Sequence, residues 1–207
     1  MRRAYAAGPL DPSDLAPTWL AQLERWLAEA IEAQVPEPNA MVLATASTAA
    51  RPGARTVLLK GLDDRGLVFF TNLRSRKGRE LAGNGRAALV FPWIALHRQV
   101  VIDGVVESVD AAEADEYFAS RPHGARLGAL SSPQSEVVAS RAELERRYED
   151  LRRRHPEGTD VPRPEWWGGL RVVPEAVEFW LGRPDRMHDR LRFRADDGAW
   201  IVERLAP

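Results

Sequence analysis

The sequence predicts a mainly β protein with flanking helices, an α+β fold built on an antiparallel sheet or barrel. Short apolar runs rich in Val, Leu, Phe and Thr follow one another, each bounded by turn residues, as in Ala40–Ala46, Leu67–Thr71 and Ala87–Trp93. Few helical patterns fall between them, which argues against an alternating strand–helix fold. Asp196-Asp197-Gly198 sits between two further apolar runs as a hairpin turn.

Residues 1–17 are rich in Ala, Pro, Asp and Gly and read as a flexible N-terminal arm; residues 18–207 read as one domain. Thr18 can cap a helix in which Trp19, Leu23, Trp26, Leu27, Ala30 and Ile31 share one face, and Pro36 and Pro38 stop it. Strands follow at Ala40–Ala46, Arg55–Lys60 and Leu67–Thr71, the last two joined by a turn at Asp63-Asp64-Arg65-Gly66. Ser75 can cap a short helix to about Leu81. Strands resume at Ala87–Trp93 and Gln99–Val109, and Asp110 caps a helix carrying Tyr117 and Phe118 that ends at Arg121-Pro122. A further helix runs from Ser140 to about Arg154. The remaining strands are Leu170–Val173, Ala176–Leu181, Leu191–Ala195 and Trp200–Leu205.

Composition excludes several classes of function. A formal net charge of −1 is not that of a general nucleic-acid binder and gives no attraction to an anionic membrane. No run is long and apolar enough to span a bilayer. Met1-Arg2-Arg3 is not followed by an apolar stretch, so a twin-arginine signal is rejected. The chain has no cysteine, which rules out disulfides and thiolate metal sites and suits a cytoplasmic protein. His97, His123, His155 and His188 are scattered, so no metal site is expected.

Two motifs look chemical and are not read so. Gly83-Asn84-Gly85-Arg86-Ala87-Ala88 matches a dinucleotide fingerprint, but a helix precedes it and a strand follows, the reverse of what that fingerprint needs. It reads instead as a helix C-cap and turn. The basic stretch from Arg141 to Arg154 is interleaved with Glu143, Glu145, Glu149 and Asp150, and reads as a solvated helix face.

Other segments point to anion binding. All but two of the 29 basic side chains are arginine; the exceptions are Lys60 and Lys77. In such a chain a lysine suggests a place that needs a compact point charge rather than a planar fork. Lys60 closes the run Arg55–Lys60, while Arg76 and Lys77 stand at a helix start, where free N–H groups and the helix dipole favour phosphate. Tyr117 and Arg121 are four apart on a helix and share a face. Arg186, His188 and Arg190 alternate, so an extended chain would point all three to one side. Three cationic groups crowded together call for an anionic partner.

Taken in order, these segments resemble the pyridoxine (pyridoxamine) 5′-phosphate oxidase family. The likeness runs from about residue 18 to the end. It includes Asn39–Thr45, Arg55–Lys60, Val68–Asn72 with Ser75-Arg76-Lys77, Phe91-Pro92-Trp93, Arg98-Gln99-Val100 and Tyr117-Phe118 through Ser120-Arg121-Pro122. It continues through Gln134-Ser135, Trp167-Gly168-Gly169, Val177–Trp180, Arg186–Arg190 and Arg204–Pro207.

The resemblance implies an FMN-binding split β-barrel and a homodimer with FMN at the subunit interface. It implies that Arg55, Lys60, Thr71, Arg76, Lys77, Gln99, Gln134, Ser135, Trp180 and Arg190 hold FMN. Lys60, Tyr117 and Arg121 would hold the substrate phosphate, and Arg186 and His188 would face the pyridine ring as the catalytic pair. The implied reaction oxidises pyridoxamine or pyridoxine 5′-phosphate to pyridoxal 5′-phosphate, by hydride transfer from C4′ to the flavin. The amine passes through an imine that water hydrolyses, and dioxygen reoxidises the flavin to give hydrogen peroxide. A related flavin oxidase of phenazine biosynthesis, or a non-catalytic flavin- or pyridoxal-phosphate-binding module, are the alternatives. Three positions depart from the commonest family pattern: Phe70 for Tyr, Ala125 for a phosphate-contacting Ser, and Leu130 for Trp. Arg55 and Lys60 are an odd number apart, so a regular strand would face them oppositely. Either the strand bends or the two serve different parts of the site.

Overall fold

A computed structural model describes residues 8–207. Its centre is a nine-stranded sheet in which every pairing is antiparallel. The strands are β1 (Ala40–Ala46), β2 (Pro52–Leu58), β3 (Gly61–Asp63), β4 (Gly66–Asn72), β5 (Arg86–Trp93), β6 (Arg98–Ser108), β7 (Trp167–Leu181), β8 (Asp189–Asp196) and β9 (Ala199–Arg204). The main path runs β2-β1-β5-β6-β7-β4-β3, with β8 and β9 branching from β7. The helices are α1 (Trp19–Glu32), α2 (Arg76–Asn84), α3 (Ala111–Ser120), α4 (His123–Ser131) and α5 (Arg141–Arg154).

The long strand β7 explains the split. Its first part, Trp167–Val172, pairs with β4, whereas Ala176–Leu181 pairs with β8. Pro174 lies where one partner is exchanged for the other, and the register against β6 shifts between Asp103 and Gly104. Sequence patterning places two strands here, Leu170–Val173 and Ala176–Leu181. One strand forms because proline, lacking a donor, is tolerated where ladder pairing is already interrupted.

Helix α1 presents most of the apolar face expected of it: Trp19, Leu23, Trp26 and Ala30 are buried, and Trp26 meets Phe179 edge-on at 5.2 Å, whereas Ile31, in the last turn, is exposed. Together with inward residues of the sheet, among them Met41, Leu43, Phe69, Leu89, Ile102 and Val177, they make the main core. A smaller core of Phe118, Leu127, Val161 and Trp167 lies under α3 and α4.

The expected caps form, Thr18, Ser75 and Asp110 each accepting a hydrogen bond from a first-turn N–H, and Ser140 caps α5 in the same way. Gly85 closes α2 in the left-handed region at φ 71°, as the turn reading of Gly83–Ala88 requires. Helix α4 and strand β3 are not in the sequence reading. Of the expected N-terminal arm, residues 1–7 lie outside the described residues. The rest is tied to the sheet and to α1: Leu10 is buried, its N–H donates to Asp189 and Arg204 donates to its carbonyl, while Arg25 of α1 donates to the Asp14 carbonyl. Among the described residues no helix is long and apolar enough to cross a membrane, and no cluster of His, Asp or Glu is arranged to hold a metal.

Candidate active site

A cavity of about 940 Å³ opens between β2, β4, the start of α2 and the α3–α4 corner. Its lining carries five cationic side chains, Arg55, Lys60, Arg76, Lys77 and Arg121, and among the described residues no carboxylate. Cations lining a concave, partly dry surface focus potential on whatever anion enters.

Arg55 and Arg76 reach the cavity from β2 and α2, and one buried carboxylate holds both. Glu80 accepts from Arg55 at 3.1 Å and from Arg76 at 2.7 Å, the latter an i, i+4 pair on α2. The Thr45 hydroxyl donates to Glu80 at 2.5 Å, and Arg55 donates to the same hydroxyl oxygen. The Thr45 bond, with Arg76 and Arg55 behind it, holds the Glu80 carboxyl down at about 2. Gly53 makes room for the pair: a Cβ there would come within 2.8 Å of Arg55 Nη2 and 2.9 Å of Arg76 Nη2.

Lys77 is different. It is 8% exposed, and its ammonium donates to Thr71 Oγ1 and Gln134 Oε1, each at 3.1 Å, with Ser75 Oγ at 3.5 Å. Its partners here are neutral, and burial, followed by the nearby Arg55 charge, pushes its pKa below the ordinary lysine value. A buried cation without a counter-ion is costly, so the arrangement is suited to an anion supplied from outside.

At the other wall stand Tyr117 and Arg121. Phe70 stacks on Tyr117 at 3.9 Å, and the Arg121 guanidinium lies 4.9 Å over the Trp167 ring. Arg121 Nη1 is buried with no hydrogen-bond partner among the described residues, and burial lowers its pKa. Lys60 joins the lining because β2 ends at Leu58. Leu59 then turns inward, and the break removes the facing conflict between Arg55 and Lys60.

The cavity thus gathers Arg55, Lys60, Thr71, Arg76, Lys77, Tyr117, Arg121, Gln134 and Ser135 from the sequence-predicted set. It does not include Gln99, Trp180, Arg186, His188 or Arg190. These form a second group. Gln99 pairs with Trp180 across β6 and β7, Trp180 pairs with Arg190 across β7 and β8, and the His188 ring lies 4.7 Å from that of Trp180. Arg190 is engaged by Glu178 at 2.7 and 2.9 Å and donates to the Ala206 carbonyl.

The extended geometry expected for residues 186–190 is not found. Pro184–Arg186 is a 3₁₀ turn, Asp185 and Arg186 have φ of 55° and 63°, and β8 begins only at Asp189. Strand alternation therefore does not set where Arg186 points. The backbone N–H of Arg183 donates to His188 Nδ1, which leaves Nε2 to carry the proton of a neutral ring.

Sequence reading missed Glu80, although its spacing from Arg76 was a usable signal. It also gave no role to Trp167. Of the three departures, Phe70 and Ala125 line this cavity, and Leu130 lines a neighbouring one.

A curled antiparallel sheet divided along one long strand, with a cation-lined cavity against it, defines a split β-barrel protein with an anion-attracting site. Residues 27–155 match the family model described as pyridoxamine 5′-phosphate oxidase. Residues 167–207 match that of the pyridoxine 5′-phosphate oxidase C-terminal dimerisation region. The chain belongs to the pyridoxamine 5′-phosphate oxidase family, a family of oxidoreductases. It is 57% identical over 196 residues to a pyridoxine/pyridoxamine 5′-phosphate oxidase of Frankia casuarinae, covering 94% of this chain and 73% of that one. It is 54% identical to the Thermobifida fusca protein of the same name, covering 100% and 96%. Among solved structures, PhzG from Burkholderia lata in complex with tetrahydrophenazine-1-carboxylic acid superposes with a TM-score of 0.89 at 34% identity, covering 96% of this chain and 98% of that one.

Proposed function

We propose that the protein is an FMN-dependent oxidase that converts pyridoxamine 5′-phosphate or pyridoxine 5′-phosphate to pyridoxal 5′-phosphate, with dioxygen as acceptor and hydrogen peroxide as product. The observation that carries this reading is the cavity's charge: five cations in the lining and no carboxylate among the described residues. One carboxylate, Glu80, lies behind them and neutralises one charge. The remaining excess suits two phosphate groups, one of a flavin mononucleotide and one of a phosphorylated substrate.

The residues fit that division. Arg55, Arg76 and Lys77 hold the flavin phosphate, with Thr71, Gln134 and Ser135 beside them. Buried Lys77 with neutral partners, and the orphaned Nη1 of Arg121, are the local features that fit bound anions. Arg121, Tyr117 and Lys60 hold the substrate phosphate. FMN, when bound, supplies the two-electron acceptor for oxidation at the substrate's C4′. The protein's part is to hold the phosphate, fix the ring and exclude water, so that C4′ is presented in a reactive pose.

Gln99, Trp180 and Arg190 complete the flavin site, and Arg186 and His188 face the pyridine ring, from a second copy of the chain. Trp167 and Trp180 are thirteen residues apart on β7, about 40 Å of strand path. One mononucleotide does not bridge that span, so a C₂ homodimer is part of the proposal. The cysteine-free composition suits a reducing compartment, and a cytoplasmic location is also part of it.

The likeness to PhzG gives the second reading, a phenazine-type oxidation. Lys60, Tyr117 and Arg121 suit a phosphate dianion better than a single carboxylate. Purified protein should be yellow and release FMN, not FAD, on denaturation, and should consume oxygen when given pyridoxamine 5′-phosphate. Oxygen uptake only with tetrahydrophenazine-1-carboxylic acid, the compound bound by PhzG, would favour the second reading. Uptake with neither substrate would leave a binding module.

A further inference from the structure

The motif Trp167-Gly168-Gly169 opens β7, and Trp167 lines the cavity although no contact with flavin or substrate is assigned to it. Trp167 is 5% exposed, and its ring lies parallel to those of Phe70 (5.5 Å, 10°) and Tyr117 (6.1 Å, 4°). Phe70 in turn stacks on Tyr117. The Arg121 guanidinium carbon lies 4.9 Å over Trp167 and 5.6 Å over Phe118. Arg121 forms no ion pair with a carboxylate among the described residues, and its Nη1 donor is unspent. A ring face attracts a guanidinium without occupying its N–H donors or cancelling its charge, as a carboxylate would.

Gly169 serves the same arrangement. It pairs with Phe70 across β4 and β7, and a Cβ on it would come within 2.7 Å of Phe70 Cε1 and 2.5 Å of Val109 Cγ2. A side chain at 169 would displace the ring on which Tyr117 rests.

We propose that Trp167 and Gly169 are positioning residues for substrate phosphate: Trp167 holds the Arg121 guanidinium by its ring face with its donors free, and Gly169 lets Phe70 lie flat and set Tyr117. Selectivity for a phosphorylated substrate therefore depends on an aromatic face that holds the phosphate-binding guanidinium. The inference rests on the assignment of Arg121 and Tyr117 to that group.

The test uses FMN-loaded protein and equilibrium dialysis of pyridoxal 5′-phosphate and of inorganic phosphate, which needs no turnover. Trp167→Leu and Trp167→Phe both shorten the side chain, but only the second keeps a ring face. Trp167→Leu should weaken binding of pyridoxal 5′-phosphate about tenfold, and Trp167→Phe should recover most of that loss. FMN affinity, followed by flavin fluorescence, should stay within about twofold in both. Gly169→Ala should weaken pyridoxal 5′-phosphate in the same direction without emptying the small core, and it carries the test if Trp167→Leu does not fold. Equal weakening by the Leu and Phe variants, or a loss of FMN affinity that parallels the loss of phosphate binding, would reduce Trp167 to a packing residue and overturn the proposal. So would parental binding in Gly169→Ala. If the parent binds pyridoxal 5′-phosphate but oxidises no B6 phosphate, the functional reading fails while this positioning role is still measured.

Discussion

Lys77 and Glu80 are three residues apart on α2 and have opposite relations to their surroundings. Lys77 is a buried cation whose partners are neutral, whereas Glu80 is a buried anion with two arginines and a hydroxyl. The first suits an incoming anion and the second fixes the groups around it. Lys77→Ala should weaken FMN by about 1.5–3 kcal/mol, the worth of a charged hydrogen bond to phosphate. Arg79→Ala should change little, because Arg79 is exposed and donates to the Arg74 carbonyl. Titration of FMN into apoprotein checks both, and equal affinities would remove Lys77 from the phosphate site. Glu80 has a pH signature. Its folded-state pKa, about 2, lies below its ordinary value of 4.5. Its stabilisation is therefore complete above about 4.5 and is lost as the pH falls toward about 2. Glu80→Gln should be less stable than the parent at neutral pH and should lose less on acidification. Thermal melts between pH 6 and pH 2.5 with parallel acid arms would show that Glu80 is not the group responsible.

At the scale of elements, the caps and strand patterns were legible because their causes are local. Ser75 and Asp110 bond to their own first turns, and Ala40–Ala46 alternates as a half-buried strand must. Helix α4 was not legible. Pro122 signals a stop, the segment contains two glycines, and no side chain caps its start. What holds it is packing of Leu127 into the small core, a tertiary cause. Pro174 misled in the same way, since only the exchange of β4 for β8 explains a proline inside one strand. The site was legible where charge stood out against composition, at Lys60 and Lys77, and illegible at Glu80, which lies behind the cavity wall. The turn at Pro184–Arg186 could not be read from alternation, because its left-handed residues are Asp185 and Arg186 rather than glycine. Arg186 is exposed on that turn. Arg186→Ala should therefore keep its flavin and its fold, but reduce that flavin slowly, because a misplaced C4′ loses its reactive pose. Anaerobic stopped-flow reduction by saturating pyridoxamine 5′-phosphate measures this step, and a parental rate would take Arg186 out of the reacting centre.

At the scale of the whole molecule, the sheet separates two groups of residues that the proposed chemistry needs together. One lines the cavity beside the Trp167 end of β7, and the other surrounds Trp180 near the opposite end. Within one chain the two groups lie at opposite ends of β7, whereas in the proposed C₂ dimer a two-fold operation would bring the second group of each copy to the cavity of the other. The match of residues 167–207 to a dimerisation region agrees with that arrangement. This makes a prediction about mixed dimers. Arg121→Ala damages the cavity group and Arg186→Ala the other, so each homodimer has two damaged sites. In a heterodimer of the two variants, both lesions fall in one site and the second site is assembled from undamaged halves. If subunits exchange at random, half of the dimers are mixed and each mixed dimer has one working site. Co-refolding equal amounts of the two impaired variants should therefore restore about a quarter of parental activity above their own residual rates. Light scattering should show dimers throughout. Activity no greater than the sum of the separate variants, with exchange verified by a tag on one of them, would mean that each chain builds its own site. The Trp180 group would then serve something other than this flavin.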